Sequence, residues 1–560
     1  MCFFIRVYSV LDVIIKTTQK MESTLTQNIF FIIIAFKKHA NIPNQLVKKL
    51  NGITLIQRAI NVALNVTSTN NILMITDSEE ISLIAERNEV KYFYNPKLDI
   101  PYANIFSELK KLDLLKKYIN NQKDIIIYQS NTPVTTYEEI IDAYIYFQQT
   151  SLDKMLVSGR NSTKKFYENT QDGLKEIKTF SDTKIFEEID MFKMISSNFF
   201  KKNVIQKIPY IIPAERSIEI KSYQDWWIYE KILSRKKIIF NVLGSLELGM
   251  GHIYHALSLA HDINDHEIIF VCHETYEIAV EKIAEMDYKV ISTNDTLKTI
   301  LELKPNLVIN DILNTSKEYM ETLKNNQIKT INFEDLGEGA SYADLVINEL
   351  YDTPKIAGSN FLWGYKYVTL RDEFEEAIPH TFSEKIDEVL ITFGGTDQNN
   401  LTHLTLKAIL PLVEKENIKV HIVCGGGYLY KTELLKYLEE ISYKNIEFTS
   451  AIGVISKIME KTQIAFSSNG RTVYELADMH IPSIIISHHE RETTHTFTTL
   501  ENGFMNLGVY QQADIAELIK NSFNKIILDH DYRKLLFLNI KKYNFRKNKY
   551  EVLDKILTFL

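Results

Sequence analysis

The chain has 560 residues, 45% of them hydrophobic and 24% charged, with a formal net charge of −8. That length exceeds what one hydrophobic core supports and points to roughly three or four domains. The acidic balance argues against a broad nucleic-acid face, and it is silent on small anionic ligands, which need only a local site.

The opening run, MCFFIRVYSVLDVII, is apolar but interrupted by Arg6 and Asp12. It is too short to cross a bilayer, and no small-residue cleavage site follows. Residues 1–27 are therefore expected to be a disordered or spurious extension, with Met21 as a second start. No later run reaches ~18 uninterrupted apolar residues, so a soluble protein is expected. Cys2, Cys272 and Cys424 form no CxxC pair and no metal-ligand spacing, which suits free thiols in a reducing cytoplasm.

From Asn28 onward, apolar strand-like runs alternate with amphipathic helical stretches. The runs are Asn28–Ala35, Asn71–Thr76, Asp124–Gln129, Lys237–Leu243, Glu267–Cys272, Leu307–Asn310, Glu388–Phe393, Lys419–Cys424 and Ser483–Ser487. Short, nearly continuous apolar runs separated by helices predict an α/β fold with parallel sheets covered on both faces. The pattern restarts after the polar SRKK and again after 379–385. Three α/β units are expected, 28–235, 236–378 and 386–560, with a tail helix around Tyr550–Leu560 packing back on a neighbouring lobe.

The first unit opens FFIIIAFKKHANIPNQLVKKLNGITLIQRAINVAL, with IPN at 42–44 and LNGITLI at 50–56. It continues through ITDSEEISLIAE at 75–86 and YQSNTPVTTYEEIIDA at 128–143, and ends RSIEIKSYQDWWIYEKIL at 216–233. Over its whole length it resembles the CMP-acylneuraminate cytidylyltransferase family. The resemblance implies a Rossmann-like nucleotidyltransferase fold of glycosyltransferase-A type. It also implies CTP and a nonulosonic acid as ligands, with Mg²⁺ required where the unit turns over. The nucleotide-binding positions it implies are Lys37, Lys38, Asn44, Asp77 and Gln129, with Glu219 as the metal ligand. Phe36, Gln45, Asn95, Thr135 and Lys221 stand where the family places phosphate- or metal-binding groups. Lys221 matters most, because a cation beside the one surviving carboxylate repels the ion to be held, and nucleotidyl transfer depends on metal and cations to offset phosphate charge. A weak or inactive cytidylyltransferase is expected.

The second unit opens KIIFNVLGSLELGMGHIYHALSLAHDI, a strand, a glycine turn and a helix beginning near His252. Gly249 and Gly251 allow close backbone approach and positive φ. The helix start favours an anion and a neutral imidazole, which suits His252 as a general base. Helix capping or cleft packing explains the local pattern equally well.

The third unit opens EVLITFGGTDQNNLTHLTLKAI, with Gly394-Gly395 before a helix and Thr396, Asp397 and Asn399 as capping candidates. In IAFSSNGRTVYELADMHIPSIIIS, the Ser467–Gly470 turn precedes a helix near Arg471 and can bind a diphosphate through N–H groups and hydroxyls. Glu475 can accept both ribose hydroxyls, or it is simply a solvated helix residue. The HHERETTH stretch (His488, His489, His495) lacks HExxH and any cysteine partner, so a nucleotide-side or structural role is expected rather than metal.

GMGHIYHALSLA, LRDEF, FGGTD and SSNGRTVYELADMHIPSIIIS occur in the order of the SpsG/PseG family, and the resemblance covers nearly all of 236–545. It implies a two-lobed glycosyltransferase-B fold that hydrolyses a UDP-linked 2,4-diacetamido-2,4,6-trideoxyhexose on the route to pseudaminic acid, without a cofactor. His252 would be the general base for water attacking the anomeric carbon. The nucleotide sugar would lie near Gly249, Gly251 and His255 on one side, and near Gly394, Gly395, Thr396, Asn469, Gly470, Arg471, Thr472, Glu475 and His495 on the other. TTLENGFMNLG matches the family's last nucleotide-side segment. His255 replaces a common arginine, which makes that contact weaker or pH-dependent. The fusion suits a pathway protein for surface-glycan nonulosonic acids. Two other readings are a glycosyltransferase with a non-catalytic N-terminal binding module, and a true bifunctional enzyme.

Overall fold

A computed structural model describes residues 27–38, 40–98, 123–150, 155–162, 167–170, 173–176, 185–196, 206–245, 249–450, 453–512 and 514–560. The expected extension and Cys2 lie outside the described residues, apart from Gln27. The chain divides into two compact units, Met1–Ser234 and Arg235–Leu560.

The first unit is built on a seven-stranded sheet of β1 (Ile29–Ala35), β2 (Ile72–Thr76), β3 (Lys91–Tyr94), β4 (Asp124–Gln129), β5 (Met155–Ser162), β6 (Ile185–Ile195) and β7 (Lys207–Ile211). The order is β7-β5-β6-β4-β1-β2-β3. Only β6 runs antiparallel to its neighbours. IFFIIIA of β1 is buried along its whole length, since it is a central strand whose alternate side chains enter an apolar cluster on each face of the sheet.

The second unit holds two parallel sheets in tandem. The first lobe contains β8 (Lys237–Val242), β9 (Glu267–His273), β10 (Val290–Thr293), β11 (Leu307–Asp311), β12 (Lys329–Phe333), β13 (Leu345–Asn348) and β14 (Phe361–Trp363), in the order β10-β9-β8-β11-β12-β13-β14. The second contains β15 (Glu388–Ile391), β16 (Lys419–Cys424), β17 (Ile446–Ser450), β18 (Ile464–Ser467), β19 (Ser483–Ser487) and β20 (Phe504–Val509), in the order β17-β16-β15-β18-β19-β20. The nine predicted runs are all strands, with ends within two residues of expectation. This is a two-lobed α/β arrangement of glycosyltransferase-B type. Each sheet reverses its strand order once, between β8 and β11 in the first lobe and between β15 and β18 in the second. Loops part on either side of such a reversal and open a crevice at the strands' carboxyl ends.

The C-terminal helix α4 (Asn548–Leu557) follows the second lobe in sequence but packs Val552, Leu553 and Ile556 into the core of the first. Its buried Lys549 pairs with Asp262 at 2.6 Å and with Asp372. Arg546 just before it bonds Asp478 at 3.0 Å and donates to the Glu375 and Ala377 carbonyls at 2.9 and 2.7 Å. A shared apolar core of Leu350, Tyr351, Leu370, Phe374, Tyr474 and Phe497 fills the junction between the lobes. Cys272 and Cys424 are unpaired and buried, and burial pushes both thiols up to about 12, which leaves neither nucleophilic near neutral pH. Among the described residues no helix is long and apolar enough to cross a membrane.

Candidate functional site

The glycine turn after β8 leads into α1 (Gly251–His261), as the sequence suggested. Gly249 has φ +81°, whereas Gly251 is the first helical residue and is not at positive φ. A side chain on Gly251 would point at Arg471 Cδ, 3.9 Å away, and one on Gly395 would meet Met250 at 3.7 Å. The glycine turns of the two lobes thus face each other closely.

His252 does not stand alone. Its Nδ1–H donates to Asp311 Oδ1 at 2.5 Å, and the Nδ1–H of His255, one turn on, donates to Asp311 Oδ2 at 2.6 Å. Asp311 closes β11, across the strand-order reversal from β8, which is why it meets a helix that follows β8. Burial alone would raise the Asp311 carboxyl, but the two imidazoles hold it well below the usual carboxylate range. It is therefore an acceptor on both oxygens, so both rings carry their proton on Nδ1. With Nδ1–H committed to Asp311, His252 Nε2 is the ring nitrogen left to take a substrate proton. Burial pushes His255 down to about 4, with Arg471 adding in the same direction. At neutral pH His255 is an uncharged ring, 4% exposed and edge-on to Phe333, with its Nδ1–H spent on Asp311.

Two more acids close neighbouring strands. Glu334 follows β12 at φ 55°, and its Oε1 accepts the Leu350 N–H at 3.3 Å. Burial pushes its carboxyl up to about 7, against the pull of Arg471 and His252. Glu349 follows β13, is wholly buried, and forms an ion pair with Arg471 of the second lobe. Asp311, Glu334 and Glu349 were all missed in the sequence. Their signal was an acid closing an apolar run, in LVIND, TINFE and LVINE, at the strand ends where α/β proteins bind ligands.

On the second lobe, Gly394 takes φ +81°, and Gly425 packs so tightly on Gly395 that a Cβ there would meet backbone at 2.2 Å. Asp397 caps helix α2 (Leu401–Glu416) by accepting from Leu401 and Thr402 N–H, each at 2.8 Å. Asn399 donates instead to the His488 carbonyl at 3.1 Å. The Ser467–Gly470 turn leads into α3 (Thr472–Asp478). Asn469 spends its side chain on shaping this turn, donating to the Glu492 and His495 carbonyls at 2.7 and 3.1 Å and accepting from Thr498 at 2.9 Å. His495 Nδ1–H donates back to the Asn469 carbonyl at 2.6 Å, and burial pushes that imidazole down to about 4. Space above Gly470 is open, the nearest atom to an added Cβ being Ser468 Oγ at 3.9 Å. Glu475 is 8% exposed rather than solvated, and its Oε1 accepts Arg371 Nε–H at 2.8 Å. Arg371 belongs to the LRDEF segment joining the lobes. Among the described residues no three His, Cys, Asp or Glu side chains are grouped as metal ligands.

In the first unit, Asp77 accepts the backbone N–H of Lys37 at 2.6 Å and of Lys38 at 2.9 Å. The Lys37 ammonium pairs with Glu80 at 2.9 Å, and that of Lys38 donates to the Pro96 carbonyl at 2.7 Å. Asn44 takes φ 55° ahead of a short 3₁₀ turn, and Gln129 is buried at the end of β4. Both Glu219 oxygens are engaged, Oε1 by Asn131 Nδ2–H at 3.0 Å and Oε2 by the Lys221 ammonium at 2.8 Å.

No protein-family profile matches the chain. It is 30% identical over 274 residues to the uncharacterized protein MJ1062 of Methanocaldococcus jannaschii, covering 45% of this chain and 56% of that protein. It is 23% identical over 279 residues to the spore coat polysaccharide biosynthesis protein SpsG of Bacillus subtilis, 46% of this chain and 80% of that one. Over 139 residues it is 29% identical to the pseudaminic acid cytidylyltransferase and UDP-2,4-diacetamido-2,4,6-trideoxy-beta-L-altropyranose hydrolase of Helicobacter pylori, 24% of this chain and 23% of that one. The chain thus spans about half of the first relative and about a quarter of the last. Among solved structures, MurG of Acinetobacter baumannii aligns over 58% of this chain and 99% of its own, with a TM-score of 0.43 and 13% identity.

Proposed function

We propose that residues 235–560 release UDP from a UDP-linked amino-deoxy sugar by attack of water, in the biosynthesis of nonulosonic acids and surface glycans. The observation that carries this is the His252–Asp311 pair at the first lobe's strand-order reversal, opposite the second lobe's glycine turns. Asp311 fixes the tautomer, and His252 Nε2 takes a proton from water as its oxygen bonds the anomeric carbon. The anomeric C–O bond breaks, and its electron pair leaves with the diphosphate. The N–H groups of the 394–395 and 467–470 turns receive that diphosphate, and Glu475, steadied by Arg371, accepts from the ribose hydroxyls. The similarity to SpsG and to the H. pylori hydrolase supports this reading, and a cytoplasmic setting suits it.

The first unit is a cytidylyltransferase homologue with little or no turnover. Its residues do not fit Mg²⁺, because Lys221 and Asn131 already occupy both oxygens of Glu219. It serves as a binding module for a nucleotide or an acidic sugar.

The test incubates the full chain with a panel of UDP-sugars, including a UDP-2,4-diacetamido-2,4,6-trideoxyhexose, and follows UDP release. Wild type should release UDP without an acceptor, and His252→Ala should lower the rate by about 10²–10⁴-fold. Release that requires an acceptor would make the protein a transferase. A His252→Ala rate equal to wild type would end the hydrolase reading.

A further inference from the structure

Glu334 is not used in the mechanism above, yet it lies in the same crevice. It directly follows β12, next to the strand that Asp311 closes, and it is 2% exposed. One carboxyl oxygen accepts the Leu350 N–H at 3.3 Å. Its φ of 55° is a left-handed conformation that a side-chain-bearing residue holds only where the surrounding structure imposes it. Strain retained at a buried acid beside a candidate base points to function. The charged and titratable groups that act on it electrostatically, or on which it acts, include His252 on α1, Asp311 on β11, Tyr351 after β13, and Arg471 and Tyr474 on the second lobe. It thus senses both the base and the residue that opens the diphosphate side.

We propose that Glu334 is the proton donor to the departing phosphate, the acid partner of His252. This rests on the hydrolase reading. Within one turnover His252 gains a proton from water and cannot also supply one to the leaving group. The new C–O bond forms from water, whose proton goes to His252 Nε2. The anomeric C–O bond breaks toward the phosphate oxygen, which takes the Glu334 proton. Passage of the imidazolium proton to the Glu334 carboxylate, through solvent, restores the starting state. No oxidant, reductant or further reactant is needed. A carboxyl kept protonated near neutral pH by burial suits this task.

Two measurements on the full chain test it. In the pH profile of UDP release, wild type should lose activity on the alkaline side as Glu334 ionises. Glu334→Gln should lower kcat about 10²-fold, the low end of general acid–base catalysis, and remove that alkaline limb. Glu334→Asp keeps a carboxyl, tolerates the left-handed backbone, and should recover part of the rate together with the limb. A Gln variant that keeps the alkaline limb overturns the proposal, because a merely structural role would slow the enzyme without changing the profile. The second measurement is calorimetric titration with UDP alone at pH 7 in buffers of different ionisation enthalpy. Wild type should take up protons on binding, and Glu334→Gln should take up fewer. Equal uptake overturns the proposal whatever the turnover. Glu334-dependent uptake without UDP release from any UDP-sugar would discard the hydrolase reading while keeping Glu334 as the group protonated against the phosphate.

Discussion

Asp311 is the residue whose substitution separates two ways of holding His252. It is 1% exposed and accepts N–H from two rings, at 2.5 and 2.6 Å. An amide at this position keeps one acceptor and turns an N–H₂ toward the other ring, which must then present a lone pair at Nδ1. If that ring were His252, its proton would move to Nε2 and the base would be lost, a penalty of about 10⁴ in a lone carboxylate–histidine pair. Here the second ring offers an escape. His255 Nε2 lies 3.9 Å from Glu349 Oε1, so His255 can carry its proton there and leave His252 in its working tautomer. What is lost is the difference between a charge-assisted and a neutral hydrogen bond, about 1–1.5 kcal/mol or roughly tenfold in rate. Asp311→Asn is therefore expected to lose about tenfold in kcat for UDP release. Asp311→Ala, which frees His252 altogether, should lose most of the 10²–10⁴ of general-base help. UDP affinity, set on the other lobe, should be unchanged in both. A 10⁴-fold loss in Asp311→Asn would refute the buffering role of His255, and Asp311→Ala within threefold of wild type would refute the pair itself.

Glu475→Ala should weaken UDP binding by on the order of 1.5–3 kcal/mol, the worth of hydrogen bonds to a charged group, and unchanged affinity by calorimetry would remove Glu475 from the nucleotide site. The full chain with CTP, Mg²⁺ and neuraminate, pseudaminate or legionaminate should give only background pyrophosphate, because Glu219 is tied to Lys221 and Asn131; robust release with any of them would make the protein bifunctional. Burial holds His255 and His495 at about 4, below the ordinary imidazole value of 6.5. Between those values the unfolded chain binds protons that the folded chain refuses, so their contribution to stability is complete above pH 6.5 and lost as pH falls toward 4. Glu334 acts in the opposite sense, its contribution fading as pH rises from 4.5 to about 7. The melting temperature should fall from pH 6.5 to 4.5, and less steeply in His495→Gln; identical slopes for variant and wild type would refute this account of His495.

Much of the architecture was legible because it is written in local pattern. Runs such as KIIFNV and SIIIS are mostly apolar because both faces of a parallel strand are covered, and that fact needs no partner to be read. The glycine turns were legible for the same reason, since φ +81° at Gly249 and Gly394 is a demand on a single residue. The short edge strands, such as Val290–Thr293 and Phe361–Trp363, went unread because half-buried edges carry little periodicity. The His252 pair was only half visible. His252 announces itself by its place after a glycine turn, but its partner Asp311 lies 59 residues on and is brought alongside only because β11 is the strand that pairs with β8. The same holds for Glu475, which local sequence allowed to be solvated and which Arg371, 104 residues before it, holds in a buried ion pair. The sequence alone determined nine of the strands, the turns and the candidate base, because those depend on the conformational preferences of neighbouring residues. The order of strands in each sheet decided which acid faces which base, and that order is set by packing between segments far apart in the chain.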